Sequence, residues 1–169
     1  MKLHIIAIGD KLPTWINTGC ADYQKRLKGF IGTDVIALPA PRRNKNATVA
    51  DNHKHKLSEG QAILNAKKGK LWVLDVKGVA LSTEHLAQKL QTAMLDGQDI
   101  SLVIGGADGV SDDVLAQADF RWSLSDLTLP HPLVRVILLE QLYRAMSILH
   151  NHPYHRGCLL YTSDAADER

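Results

Sequence analysis

The sequence predicts an α/β fold with a mainly parallel sheet flanked by helices, and three observations carry that reading. Strand-like runs alternate with helical patterns along the chain, as in crossover βαβ units and unlike an all-helical bundle. Two of these runs end in turns rich in glycine and aspartate, Leu74-Asp75-Val76-Lys77-Gly78 and Ile104-Gly105-Gly106-Ala107-Asp108-Gly109, and each is followed by a helix-capping serine. With 169 residues and 45% hydrophobic content, the chain can bury a core without disulfides or a structural metal.

Leu3 to Ile8 forms the first strand. Pro13 opens a helix through Leu27, with Trp15, Ile16, Tyr23 and Leu27 on its apolar face and Gly29 marking its end. Thr33 to Leu38 is the second strand. A polar helix follows from about Asn46 to Ala66, where Val49, His53, Leu57, Gly60 and Leu64 recur near the helical period and mark the buried stripe. Leu71 to Val76 is the third strand. Ser82 or Thr83 caps the next helix, which ends near Leu95, and the Asp96-Gly97 turn leads to a fourth strand, Ile100 to Ile104. Ser111 caps a short helix, Phe120 to Leu124 is a fifth strand, and Pro132 to His150 is the last helix.

That last helix is unusually apolar, with 12 apolar residues among the 17 from Leu133 to Leu149. A helix on one sheet face needs a stripe of only about 100°. The surplus points to a second copy of the chain, with burial in one large core as the alternative.

The segment leading into this helix, Ser123 to Arg135, has the ordering of a site. Pro130 and Pro132 bracket His131, and a proline at the start of a helix loses no hydrogen bond because that donor is unpaired in any helix. Pro132 also restricts His131 to extended geometry, which stiffens the backbone from Leu124 to Leu129. Read alone, this is either a rigid strand-to-helix connection or a loop shaped for a ligand. The glycine turn at 104–109 is similarly open: it is neither a dinucleotide fingerprint nor a phosphate loop with its lysine.

Charge and histidines narrow the classes further. The net charge is +2, and the stretch 157–169 holds three acidic residues and one arginine, leaving +4 on residues 1–156. Arg42, Arg43 and Lys45 form a modest basic cluster, as suited to a phosphate as to a solvated loop. The histidine groups His150, His152, His155 and His53, His55 lack the spacing and the partners of a four-ligand site, so no metal is expected. Cys20 and Cys158 offer no disulfide framework, and no run suggests a signal peptide or a membrane span; a cytoplasmic protein is expected.

Five ordered motifs then give a resemblance: MKLHIIAIGDKLPTW at the start, LDVKG at 74–78, LVIGGADG at 102–109, SLSDLTLPHPLVRVILLEQLYRA at 123–145 and NHPYHR at 151–156. Across residues 1–156 the chain resembles the ribosomal RNA large subunit methyltransferase H family of the SPOUT class. The resemblance implies a single SPOUT-type α/β domain over 1–156 with a C-terminal trefoil knot, acting as a homodimer. It implies S-adenosyl-L-methionine as cofactor and methylation of N3 of a pseudouridine in 23S rRNA of the assembled ribosome. By motif, the cofactor pocket takes Leu74, Gly105, Gly106 and the backbone of Leu124, Ser125, Asp126, Leu127, Thr128 and Leu129. His131, Glu140, Arg144, Tyr154, His155 and Arg156 fall on positions that would surround the target base.

For such chemistry His155 or Tyr154 is expected to help remove the N3 proton, and Arg144 or Arg156 to bind phosphate or the developing anion. A helix of about 18 residues is about 27 Å long, so cofactor loop and C-terminal motif start far apart in one chain and are expected to meet across a dimer. Residues 157–169 depart from the family pattern and are read as a non-family tail, disordered or a gene-calling artefact. A catalytically silent ribosome-binding module and an enzyme acting on a free nucleotide are the alternative functions.

Overall fold

The computed structural model describes residues 1–156; the readings made for 157–169, including Cys158, lie outside the described residues. The elements alternate as β1 (Lys2–Ile8), α1 (Thr14–Leu27), β2 (Gly32–Leu38), α2 (Val49–Ala66), β3 (Lys70–Ala80), α3 (Thr83–Asp96), β4 (Ile100–Ile104), α4 (Asp112–Gln117), β5 (Phe120–Ser123) and α5 (His131–Leu149). The strands form one sheet in the order β2-β1-β4-β3-β5, and every pairing is parallel. All strands therefore end on the same edge, and this edge carries the site.

The two central strands show why the sequence takes this form. β1 from Leu3 to Ile8 and the whole of β4 are buried, as expected where helices cover both faces of a parallel sheet. Alternate residues point to opposite faces. Ile5 and Leu102 belong to a core shared with α1, α3 and α5, while Ile6 and Val103 belong to a second core with Ile63 of α2 and Val114 of α4. The caps follow the sequence: Ser82 accepts from the His85 amide at 3.1 Å, Ser111 accepts from the Val114 amide at 3.4 Å, and Gly97 ends α3 at φ 71°.

Two expectations need correction. Of the expected stripe of α2, Gly60 is buried and Leu64 half-buried, but Val49, His53 and Leu57 are exposed, and Glu59 and Ile63 are buried in their place. The helix starts at Val49 behind a Thr48–Asp51 capping box, and its packing against α4 and the central strand β1 decides which face turns inward. The third strand does not stop at Val76. It runs to Ala80 across a bulge between Leu74 and Val79, pairing with β5 on both sides of that bulge. Much of the apolar surplus of α5 is taken up by its own chain, because α5 lies between α1 and α3, with Leu138, Leu139, Leu142 and Met146 fully buried.

At the opposite edge of the sheet His4, 2% exposed, is set between Asp99 at 2.9 Å and Asp34 at 3.2 Å. Both carboxyls are held below the usual range, Asp34 chiefly by a hydrogen bond from Lys2 and Asp99 chiefly by one from His4. A depressed carboxyl contributes stability above its unfolded pKa and loses it as pH falls through the folded value. Melting temperature is therefore expected to fall on acidification below about pH 4. In Asp99→Asn the melting temperature should be lower near neutrality and change less across that range; an unchanged acid profile would remove Asp99 from this brace.

Candidate active site

Where β3, β4 and β5 end, three loops enclose a cavity of about 810 Å³. Its wall includes Leu74, Asp75 and Val76 from the bulge, Gly105, Gly106 and Asp108 from the second loop, and Leu124, Ser125, Leu127 and Leu129 from the third, with His131 and Val134 of α5 behind them. Each loop is held locally. Asp75 accepts from Nε of Arg121 at 3.1 Å, and although burial pushes its carboxyl up, the bonds from Arg121 and from the Lys77 amide outweigh this and keep it low. Gly109 at φ 81° closes a turn on the Gly106 carbonyl at 3.0 Å, a geometry that favours glycine. The Leu127 amide donates to Ser125 Oγ at 3.0 Å, and Pro130 caps α5, whose first turn contains His131 and Pro132.

The wall fits a cofactor with both an apolar ring and polar groups. A Cβ at Gly105 would stand 2.7 Å from Val110 Cγ2 and 3.0 Å from the Gly109 carbonyl carbon, so the loop closes this tightly only without a side chain there. A Cβ at Gly106 would stand 2.7 Å from Glu59 Oε2. Glycine at 106 therefore makes room first for a buried carboxylate. Of the nine expected cofactor residues, Leu74, Gly105, Gly106, Leu124, Ser125, Leu127 and Leu129 line the cavity; Asp126 and Thr128 sit in the same loop between lining residues.

The second group gathers midway along α5. After His150 the chain turns back at Asn151, φ 54°, and buries Tyr154 beside Glu140, so the C-terminal motif does not extend beyond the far end of the helix. Arg144 donates to Glu140 Oε1 through Nε at 2.8 Å and a terminal nitrogen at 2.6 Å, and its guanidinium lies 4.8 Å from the Tyr154 ring centre. Tyr154 donates to the same Glu140 oxygen at 3.2 Å. Burial, a bond with Tyr23 and the Glu140 charge all push its phenol far up, so it keeps its proton.

His155 Nε2 is 2.9 Å from Glu84, and Nδ1 is 3.5 Å from a terminal nitrogen of Arg144. An arginine can only donate, so Nδ1 is the acceptor and the proton sits on Nε2 towards Glu84. That bond is the main cause holding Glu84 below the usual carboxylate range. Arg156 is exposed at the end of the described chain. The structure thus brings together Glu140, Arg144, Tyr154 and His155, while His131 lies with the cofactor loops.

Sequence reasoning missed Glu59 and Arg135. Glu59 is 6% exposed, and burial pushes its carboxyl up. Arg135, 2% exposed, donates to the carbonyls of Ile8 at 3.0 Å and Gly9 at 2.6 Å. The available signal was the charge itself: Arg135 interrupts the most apolar helix, and Glu59 precedes Gly60 on a helix where a buried phase must exist. Among the described residues no three His, Cys, Asp or Glu side chains cluster to hold a metal ion, and no helix is long and apolar enough to cross a membrane.

Comparison with known proteins agrees with this architecture. A family described as "Predicted SPOUT methyltransferase" matches residues 1–155. A protein from Psychrobacter sp. (strain PRwf-1), named ribosomal RNA large subunit methyltransferase H, is 58% identical over 161 residues, covering 93% of this chain and 99% of that one. A protein of the same name from Acinetobacter baumannii (strain ATCC 17978) is 54% identical over 159 residues, covering 93% and 100%. Among solved structures, a probable methylase family protein from Haemophilus influenzae Rd KW20 aligns with a TM-score of 0.52 at 13% identity, covering 96% of this chain and 72% of that one, a likeness of fold alone. With a family match running from the first strand to the His155 cluster, the chain belongs to the SPOUT methyltransferase family.

Proposed function

We propose that the protein methylates N3 of a pseudouridine in 23S rRNA of the assembled ribosome, using S-adenosyl-L-methionine, as a cytoplasmic homodimer with a C-terminal trefoil knot. The observation that carries this reading is the cavity of about 810 Å³ at the ends of three parallel strands, in a chain 58% identical to a relative named for methylation of large-subunit rRNA. Bound S-adenosylmethionine supplies an already activated sulfonium methyl. The protein's own tasks are to align donor and acceptor at about 3 to 3.5 Å and to take the N3 proton from the uracil ring.

Of the two expected proton acceptors, this reading keeps His155. Among the described residues its Nδ1 lone pair is engaged only by the 3.5 Å contact to Arg144, whereas the buried Tyr154 phenol is already donating to Glu140. Glu140 fixes Arg144 through two bonds and leaves a guanidinium for phosphate or for the developing anion. Arg156 lies next to this group in sequence, and His131 serves the base from the cofactor side.

The same geometry supports a site shared between two chains. His131 and Glu140 are nine residues apart, which at about 100° per residue places them on opposite sides of α5 and about 14 Å apart along it. The cofactor loops and the His155 cluster of one chain thus face away from each other. A partner related by a two-fold axis can offer its cluster to this chain's cavity.

The test is methyl transfer to ribosomes that lack the modification, followed by mapping of the product. A single pseudouridine of 23S rRNA should gain a methyl on N3. Transfer to free nucleosides in place of ribosomes, or a product methylated elsewhere, would overturn the reading.

A further inference from the structure

Beside the main cavity lies a smaller one of about 350 Å³, lined by Gly9, Lys11, Arg43, Glu59, His131 and Arg135 among others. Two of its side chains, Glu59 and Arg135, are buried ionisable groups with no ion pair among the described residues, Glu59 feeling Arg43 and His55 only at longer range and against Asp108. Glu59 makes no hydrogen bond or ion pair among the described residues, and Arg43 is already engaged by Asp108 at 2.5 Å. Arg135 has no carboxylate within ion-pair distance among the described residues; it uses one terminal nitrogen on two carbonyls, while its buried Nε has no acceptor. Burying an isolated charge is unfavourable unless something compensates it. Both groups are therefore set for a ligand.

They also reach the same place from opposite faces of the sheet. Arg135 comes from α5 and Glu59 from α2. Ala7 pairs with Ile104, so Gly9 and Gly106 follow two residues later on neighbouring strand ends, roughly 5 Å apart by ordinary strand spacing. A Cβ at Gly9 would stand 3.2 Å from a terminal nitrogen of Arg135, and one at Gly106 would stand 2.7 Å from Glu59 Oε2. Gly106 and His131 line both cavities, which therefore adjoin there.

We propose that the small cavity takes a zwitterionic α-amino acid group, with Arg135 on its carboxylate and Glu59 on its ammonium. Resting on the function proposed above, this group is the methionine end of S-adenosylmethionine, whose adenosine occupies the larger cavity. The ligand then crosses at Gly106 and His131, which sets the reactive carbon beside His131. A phosphate of the RNA strand fits less well, because it offers nothing to Glu59 and is repelled by it when ionised.

The experiment is calorimetric titration of the full chain with S-adenosylhomocysteine, 5′-methylthioadenosine, which lacks the amino acid, decarboxylated S-adenosylmethionine, which lacks only the carboxylate, and L-methionine. Wild-type protein should bind S-adenosylhomocysteine at least about 100-fold more tightly than methylthioadenosine, since charge-assisted bonds are the strong ones. The decarboxylated compound should lose most of this advantage. Glu59→Gln should weaken S-adenosylhomocysteine about tenfold or more and leave methylthioadenosine unchanged, whereas L-methionine alone should bind only weakly.

The probe series on wild-type protein keeps the test valid even if a variant fails to fold. Equal affinity for S-adenosylhomocysteine and methylthioadenosine overturns the inference while leaving the cofactor reading intact; binding of neither overturns both. A folded Glu59→Gln that keeps cofactor affinity but loses methyl transfer assigns the cavity to the target nucleotide instead and likewise overturns it. Tight binding of L-methionine without the nucleoside contradicts the joined ligand.

Discussion

Replacing Gly106 with valine is expected to abolish cofactor binding and, with it, methyl transfer, while leaving the fold in place. The backbone at 106 is not in the left-handed region, so a side chain brings no conformational strain there. Its first atom would fall 2.7 and 3.0 Å from the two oxygens of Glu59 and 3.1 Å from their shared carbon. Glu59 is buried and must then shift, while the branched valine stands where the two cavities adjoin. A loss of at least about 100-fold in S-adenosylhomocysteine affinity corresponds to about 2.7 kcal/mol. Glu59→Ala alone is the reference that separates the routes: a double variant Gly106→Val with Glu59→Ala that binds as Glu59→Ala does would trace the defect to the displaced carboxylate, and one that binds more weakly would trace it to the side chain at 106 itself. Wild-type affinity in a folded Gly106→Val chain would remove Gly106 from the site.

The second large effect concerns two defective chains mixed together. Gly106→Val disables the cofactor side, and His155→Ala removes the group that faces both Glu84 and Arg144. Each homodimer should be inactive. If sites are shared, a mixed dimer holds one site in which both lesions fall together and one in which neither does. Random pairing makes half of the dimers mixed, so roughly a quarter of wild-type activity should return. Confirmed mixed dimers with no recovered methyl transfer would refute the shared site.

Local chemistry made much of the fold legible. β4 was readable residue for residue because Ile100 to Ile104, apolar but for Ser101, is closed by a glycine turn, and Ser82 and Ser111 announced their helices by the hydroxyl each amide needs. The α2 face was not readable. Val49 and Leu57 recur at helical spacing yet stand in solvent, and the face that packs is decided by α4 and β1, which lie far away in sequence. α5 was legible only in part: apolar excess says that a helix is covered on several sides, but not how much of it α1 and α3 cover and how much is left for another chain.

The site divides along the same line. Loop residues such as Gly105 and Leu124 could be carried over from contiguous motifs. Glu59 and Arg135 could not, because each matters through its position against a glycine on another element, Gly106 and Gly9. The return of Tyr154 to Glu140 was equally hidden, since one residue with positive φ at Asn151 reverses the chain.

The bulge in β3 bears on how a ligand enters. Because β3 pairs with β5 before and after Leu74–Val79, residues 75–78 form an arch anchored at both feet, and the arch presses on β5 so closely that a Cβ at Gly78 would stand 2.7 Å from the Arg121 backbone. The Asp75–Arg121 ion pair ties it down again. That side of the cavity is a fixed jaw. The opposite side, 124–130, is restrained locally by hydrogen bonds at Ser125, with Leu127 exposed at its tip. The two rims are thus held unequally, and substitutions at 124–130 are expected to change the rate of ligand exchange, read as a dissociation rate, more than those in the arch.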